Sequence, residues 1–134
     1  WSPLAIRSST LGRRLSMYDT AMGLAYLAFS NSNVQKTFID NALSVNIDDN
    51  DLWHNLFTKR LERIISQGYA VRKPKNPGES ASLAVPILVN GEAAASLGMT
   101  TFGKLMNQKT IDQYLPILQE TAKEIAIAYK GLKR

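Results

Sequence analysis

Apolar and polar positions alternate loosely at the start of the chain, with Leu4, Ile6, Leu11 and Leu15 as the apolar members, and predict one or two strands over residues 2–17, bent at Gly12. A crowded apolar stretch follows. Met22, Leu24, Ala25, Leu27 and Ala28 fill most of a helical face behind Asp19 or Thr20 as its cap, which describes a buried helix. After the "SNSN" break, "VQKTFIDNAL" predicts a short second helix, and "SVNIDDND" a polar loop. A third helix is predicted over residues 51–67, with Leu52, Leu56, Leu61, Ile64 and Ile65 on one side and the "KRLER" charges on the other. Gly68 ends it, because the residue after a helix commonly takes a positive φ, where glycine has no steric penalty.

The next third of the chain changes period. "YAVR" reads as a strand, "KPKNPGE" as a Pro/Gly loop, and "SASLAVPILV" and "EAAASLGMT" as two strands joined by Asn90-Gly91. An Asn-Gly pair suits a two-residue hairpin turn, which needs positive φ at both central positions. Residues 109–132 then form a long amphipathic helix with Ile111, Leu115, Leu118, Ala122, Ile125 and Ala128 at helical spacing and Pro116 near its start. The order strand, helices, three strands, helix predicts an α+β fold, an antiparallel sheet with helices packed on it, rather than a doubly wound parallel sheet.

The chain has 134 residues, the size of one domain spanning residues 1–134, with 45% hydrophobic and 20% charged residues, as in ordinary globular proteins. Cysteine is absent, which excludes disulfides, thiolate nucleophiles and Cys-based metal sites and is compatible with a reducing cytoplasm. His54 is the only histidine, so the usual metal clusters and Ser-His-Asp schemes lack their parts. No apolar run approaches the ~20 residues of a membrane span. No phosphate-binding loop, dinucleotide fingerprint or hydrolase elbow is present, and the acidic "NIDDND" lacks the glycine and terminal glutamate of a calcium loop. By themselves these residues leave catalysis possible but unsupported, with no cofactor and no metal expected. The net charge of +5 comes from 16 Lys and Arg against 11 Asp and Glu scattered along the chain, which speaks against a dedicated nucleic-acid surface.

"LGRRLSMYDTAMGLAYLAF", "LERIISQGYAV", "ESASLAVPI", "AAASLGM" and "YLPILQETAKEIAIAY", in this order and spacing, resemble the C-terminal effector-binding domain of IclR-family transcriptional regulators. The resemblance covers nearly the whole chain. It implies a GAF-like fold, a curved antiparallel sheet flanked by helices that cradles a small organic acid, in domains that associate as homodimers or homotetramers in the cytoplasm. It also implies that full-length relatives carry a DNA-binding winged helix-turn-helix, a linker helix and the sheet's first strands ahead of the part matched by Trp1. The expectation is thus a sensor domain with its N-terminal strands missing, whose contact with DNA runs only through the absent N-terminal domain.

Carried over position by position, the resemblance puts Leu4, Arg7 and Leu15 on the ligand wall and the backbone of Ala21 and Met22 at the helix start. It adds Arg72 after the "GYAV" strand, Ser80 and Ser82 on the next, and Ser96 and Gly98 on the last. Elementary chemistry agrees in part. A helix start presents unpaired N–H groups to a carboxylate, and residues two apart on a strand share a face. Ser80 and Ser82 thus point one way, as do Ser96 and Gly98, with Leu83 and Val85 on the opposite side. Two placements are open for Arg72: inward, as a bidentate partner of a carboxylate, or at a strand end reaching water. Arg7 reaches the pocket only through a bend or bulge, since alternation sets it opposite Leu4 and Ile6. The closest branch of the family senses hydroxyphenylpropionate-type aromatic acids, and the small residues Ala21, Gly98 and Ala93 to Ala95 leave room for a ring. The rival reading is a GAF-like dimerisation module without a physiological small ligand, its serines satisfied by backbone.

Overall fold

The computed structural model describes residues 14–45 and 50–132. In chain order the elements are α1 (Ala21–Ala28), α2 (Ser32–Val45), α3 (Asn50–Gln67), β1 (Ala70–Arg72), β2 (Ser80–Val89), β3 (Glu92–Phe102), a 3-10 turn (Gly103–Leu105) and α4 (Gln108–Leu132). The described strands form one antiparallel sheet in the order β1-β2-β3, with α1 on one face and α4 on the other. An α+β sheet flanked by helices is therefore what the sequence pattern anticipates and what the chain forms.

Helix α1 is built from good helix formers apart from Gly23, and Thr20 starts it: extended at φ −102° and ψ 148°, it accepts a hydrogen bond from the Gly23 N–H at 3.0 Å. A glycine inside a helix costs about 1 kcal/mol relative to alanine. Here it is required, since a Cβ on residue 23 would collide with the Ser16 carbonyl oxygen. The other end is closed from outside, where Gln35 of α2 donates to the Leu27 and Ala28 carbonyls, both at 3.0 Å.

Strand β2 divides the core by parity. Ala81, Leu83, Val85 and Ile87 face α4 and pack with Met106, Ile111, Ala122 and Ala126, while Ala84 and its neighbour Ala70 lie under α1 with Leu24, Ala25 and Leu27. On the α1 side a ring cluster closes the end of the core: Trp53 and Phe57 stack at 4.8 Å, and Tyr18 meets both edge-on and donates its hydroxyl to the Phe38 carbonyl at 2.8 Å. The β2–β3 turn has positive φ at both Asn90 (55°) and Gly91 (79°), as the Asn-Gly signal anticipates. Register is kept from Ser80↔Phe102 to Ile87↔Ala95 and shifts between Ile87 and Leu88.

Three expectations fail in detail. Residues 14–20 form turns and irregular chain rather than the end of a strand, and the remainder of that predicted strand lies outside the described residues. On α3 the buried stripe is Phe57, Leu61 and Ile64; Leu52, Leu56 and Ile65 are exposed at 54%, 59% and 47%. Leu56 and Ile65 stand one residue off that stripe, roughly 100° around the helix, and α1 is too short to cover a wider face. On α4 the stripe runs through Ile111, Ala122 and Ala126, leaving Ile125 and Ala128 exposed. The small side chain of Ala126 lets the helix close on Val85 and Ile87, which Ile125 would hold off.

Candidate functional site

Parity along β2 and β3 brings most of the sequence-predicted residues to the α1 face of the sheet. Register aligns Arg72, Ser82 and Thr100 in one row across all three strands, and Ala70, Ala84 and Gly98 in the next. Two strand spacings separate the Arg72 backbone from that of Thr100, about 10 Å. Helix α1 runs antiparallel to β3: Met22 near its start crowds Gly98, and the carbonyl of Phe29 just beyond its end accepts from the Ala93 N–H at 2.9 Å. It covers the second row and stops at the first. Thr100 and Phe102 are exposed, and Ser80, Ser82 and Arg72 half-buried, so a polar shelf extends from the start of α1.

The row carries its own chemistry. The Ser82 and Thr100 hydroxyls lie 3.1 Å apart in a hydrogen bond that either can donate. Each oxygen keeps further capacity to donate or accept, which a hydroxylated or carboxylated ligand can use. At the helix start Thr20 takes up the N–H groups of Gly23 through its hydroxyl and Leu24 through its carbonyl. Those of Ala21 and Met22 complete a first turn without an acidic side chain, at the positive end of the helix dipole. Gly98 is fitted to Met22: a Cβ there would approach Met22 Cγ to 2.9 Å and the Leu83 carbonyl oxygen to 3.3 Å. Met22, 36% exposed, forms the apolar border of the shelf.

Arg72 is the last residue of β1, and its side chain is partly exposed. Its guanidinium is 3.8 Å from Glu79, with both side chains about one-third exposed. Glu79 is held by the loop itself, accepting from the Asn76 side-chain amide at 2.8 Å and from the Lys75 N–H at 3.0 Å. These two hydrogen bonds, with a smaller contribution from Arg72, hold the Glu79 carboxyl below its ordinary range. At 3.8 Å and this exposure the ion pair is weak, so Arg72 remains available to a second anion.

Placement of the other residues is uneven. Leu4 and Arg7 lie outside the described residues. Leu15 sits in the irregular lead-in, 53% exposed. Ser80 is opposite Phe102, next along the shelf from Ser82. Ser96, opposite Pro86, shares the face but lies two residues beyond Gly98, on the other side of the Met22 contact from the row. Two participants were missed. Thr100 has the parity of Ser96 and Gly98, and that signal alone locates it. Glu79 is joined to Arg72 only by closure of the 73–79 loop, for which no short-range spacing exists. Among the described residues no group of three His, Cys, Asp or Glu is arranged to hold a metal ion, and no helix is long and apolar enough to cross a membrane.

A family model described as bacterial transcriptional regulator IclR C-terminal matches residues 3–127. Solved structures resemble the fold at modest identity. The IclR of Thermotoga maritima superposes with a TM-score of 0.73 at 25% identity, over 90% of this chain and 49% of that one. A transcriptional regulator from Rhodococcus sp. RHA1 gives 0.74 at 21% identity, over 94% and 52%. The inducer-binding domain of the Acinetobacter transcription factor PobR, a double mutant in complex with 3-hydroxybenzoic acid, gives 0.69 at 22% identity, over 94% and 77%. The chain spans about half the length of the first two.

Proposed function

The chain belongs to the IclR C-terminal family of bacterial transcriptional regulators, and from that premise we propose that it is an effector sensor, binding a small aromatic carboxylic acid over the row Arg72, Ser82 and Thr100. Ligand binding shifts the domain between two conformations or assemblies and so alters how a DNA-binding domain ahead of it engages its operator. The observation that supports the reading is the row itself: register sets a cation and two hydrogen-bonded hydroxyls side by side across the strands, next to the row on which α1 starts. The likeness to an inducer-binding domain in complex with 3-hydroxybenzoic acid supports an aromatic acid. Homodimeric or homotetrameric assembly and a cytoplasmic location belong to the same proposal and rest on the family.

Each group has a part in this scheme. Arg72 supplies a planar fork to the carboxylate, a charge-assisted contact contributing about 1.5–3 kcal/mol. The Ala21 and Met22 N–H groups add the dipole's positive end. Ser82 and Thr100 engage a ring hydroxyl, Ser80 borders them, and the ring lies against Met22 over Gly98. Leu4, Arg7 and Leu15 form the outer wall, and Ser96 the inner limit beneath α1. Control requires different affinities for the two states, because equal affinity shifts nothing.

Thermal unfolding with 3-hydroxybenzoate, hydroxyphenylpropionate, pyruvate and glyoxylate tests the scheme. A ligand specific for the folded state at 100-fold its dissociation constant adds about 2.7 kcal/mol. Arg72→Ala is expected to stay folded and lose that shift. A shift only with pyruvate and glyoxylate rejects the aromatic acid, and an unchanged shift in Arg72→Ala rejects Arg72 as anchor.

A further inference from the structure

Strand β1 pairs with β2 alone, so among the described residues its outer edge carries no partner strand. A groove of about 740 Å³ runs along that edge, between α3 and the start of α4. Five cations line it, Arg60, Arg63, Arg72, Lys73 and Lys75, against one acid, Asp19. Among the described residues only Arg72 of these five has an ion pair, with Glu79, and no carboxylate lies within 4.0 Å of the other four side chains. Arg60 and Arg63 are three residues apart and share a face of α3. Their mutual repulsion, and that with the loop lysines, is unfavourable until an anion enters.

The groove is also apolar, and unevenly so. On the α4 side its floor is Val71, Met106 and Ile111, which belong to one packed cluster with Tyr69. On the α3 side Ile64 is overhung by the two arginines. An open strand edge offers backbone N–H and C=O groups to a chain laid beside it, and a strand so added presents alternate side chains to the two sides. We propose that this groove takes up an extended acidic polypeptide segment as a strand beside β1. Its carboxylates face Arg60, Arg63 and Arg72, and its alternate apolar side chains face Val71, Met106 and Ile111. The apolar floor and strand edge favour a peptide over duplex DNA, whose phosphates need cations but no dry floor. Tyr69 marks where pairing starts, because its carbonyl is already taken by the Gln67 side-chain amide at 2.8 Å.

A fluorescein-labelled octapeptide of alternating glutamate and valine is the probe, with its glutamine/valine counterpart as control. Fluorescence anisotropy is expected to show binding of the glutamate peptide that weakens as salt is raised, with shifted amide signals from Ala70 to Lys73. The double variant Arg60→Glu, Arg63→Glu, both exposed positions, is expected to retain the parent's unfolding temperature and lose affinity roughly tenfold or more, as charge reversal at a complementary surface does. Its response to the aromatic acids is expected to be unchanged, since neither arginine lies on the Arg72, Ser82 and Thr100 row. No binding at low salt overturns the proposal, as do equal binding of the control, an undiminished double variant, or tighter binding of duplex DNA through the same arginines.

Discussion

Along β2 the side chains at 81, 83, 85 and 87 press against α4 and are at most 6% exposed, whereas those at 80, 82 and 86, one step away in sequence, remain half-exposed. The same strand is therefore core along the whole of one face, while on the other it is core at Ala84, under α1, and half-buried at the positions on either side. The difference follows from what lies above each face. Helix α4 has 25 residues and covers the sheet from Ala81 to Ile87, while α1 has eight, covers Ala70, Ala84 and Gly98, and leaves Ser82 half-buried and Thr100 exposed beyond its start. Burial under α4 and beneath α1 supplies the stability that lets the row beyond the start of α1 keep hydroxyls and a weakly paired arginine in partial contact with water.

The strongest way to break this contrast is Leu83→Ala. Leu83 is fully buried between Met106 and Ile111, and its loss is expected to cost about 2–5 kcal/mol in denaturant unfolding. If the cost is no larger than for a surface residue, the α4 face is not the stabilising one. Ser82→Ala, one residue away, sharpens the comparison from the other side. It removes the bond to Thr100, whose hydroxyl returns to water because Thr100 is exposed, so the change in stability is expected to stay within about 1 kcal/mol. Titration calorimetry of the same variant is expected to show weakened acid binding, and unaltered binding would remove Ser82 from the site.

The smallest effect concerns the loop that carries Arg72's partner. Glu79 has a folded pKa below its ordinary value, so its hydrogen bonds to Asn76 and Lys75 are at full strength above the unfolded pKa. Their contribution is lost as pH falls through the lowered folded value. The Lys75 amide signal, followed by NMR on acidification, is expected to move with that lowered midpoint and not with the usual glutamate one. In Glu79→Gln the movement should vanish, and Arg72 should be freer to meet an added carboxylate.

Much of this was legible in advance where the signal is local. The Asn90-Gly91 turn, a cap at Asp19 or Thr20, of which the structure uses Thr20, and the stop at Gly68, with φ of 87°, follow from properties of single residues or pairs. The shared face of Ser80 and Ser82 follows from the two-residue period of a strand. The failures on α3 and α4 were questions of which side meets a neighbour. Leu56 and Phe57 are adjacent and both apolar, and only the position of α1 selects Phe57 for burial. Glu79 was invisible as Arg72's partner for the same reason, since it takes the folded 73–79 loop to bring them within 3.8 Å.

The order of residues alone determined the helices, the hairpin, its turn and the two-faced character of β2, because φ preferences, capping and periodicity act over a few neighbouring positions. Tertiary structure decided how far each helix covers the sheet, and thereby that among the described residues no helix lies over the row Arg72, Ser82 and Thr100 and that the edge of β1 gathers cations from α3 and the 73–79 loop. Those groups lie far apart along the chain, and only packing of the elements against one another sets the distances between them.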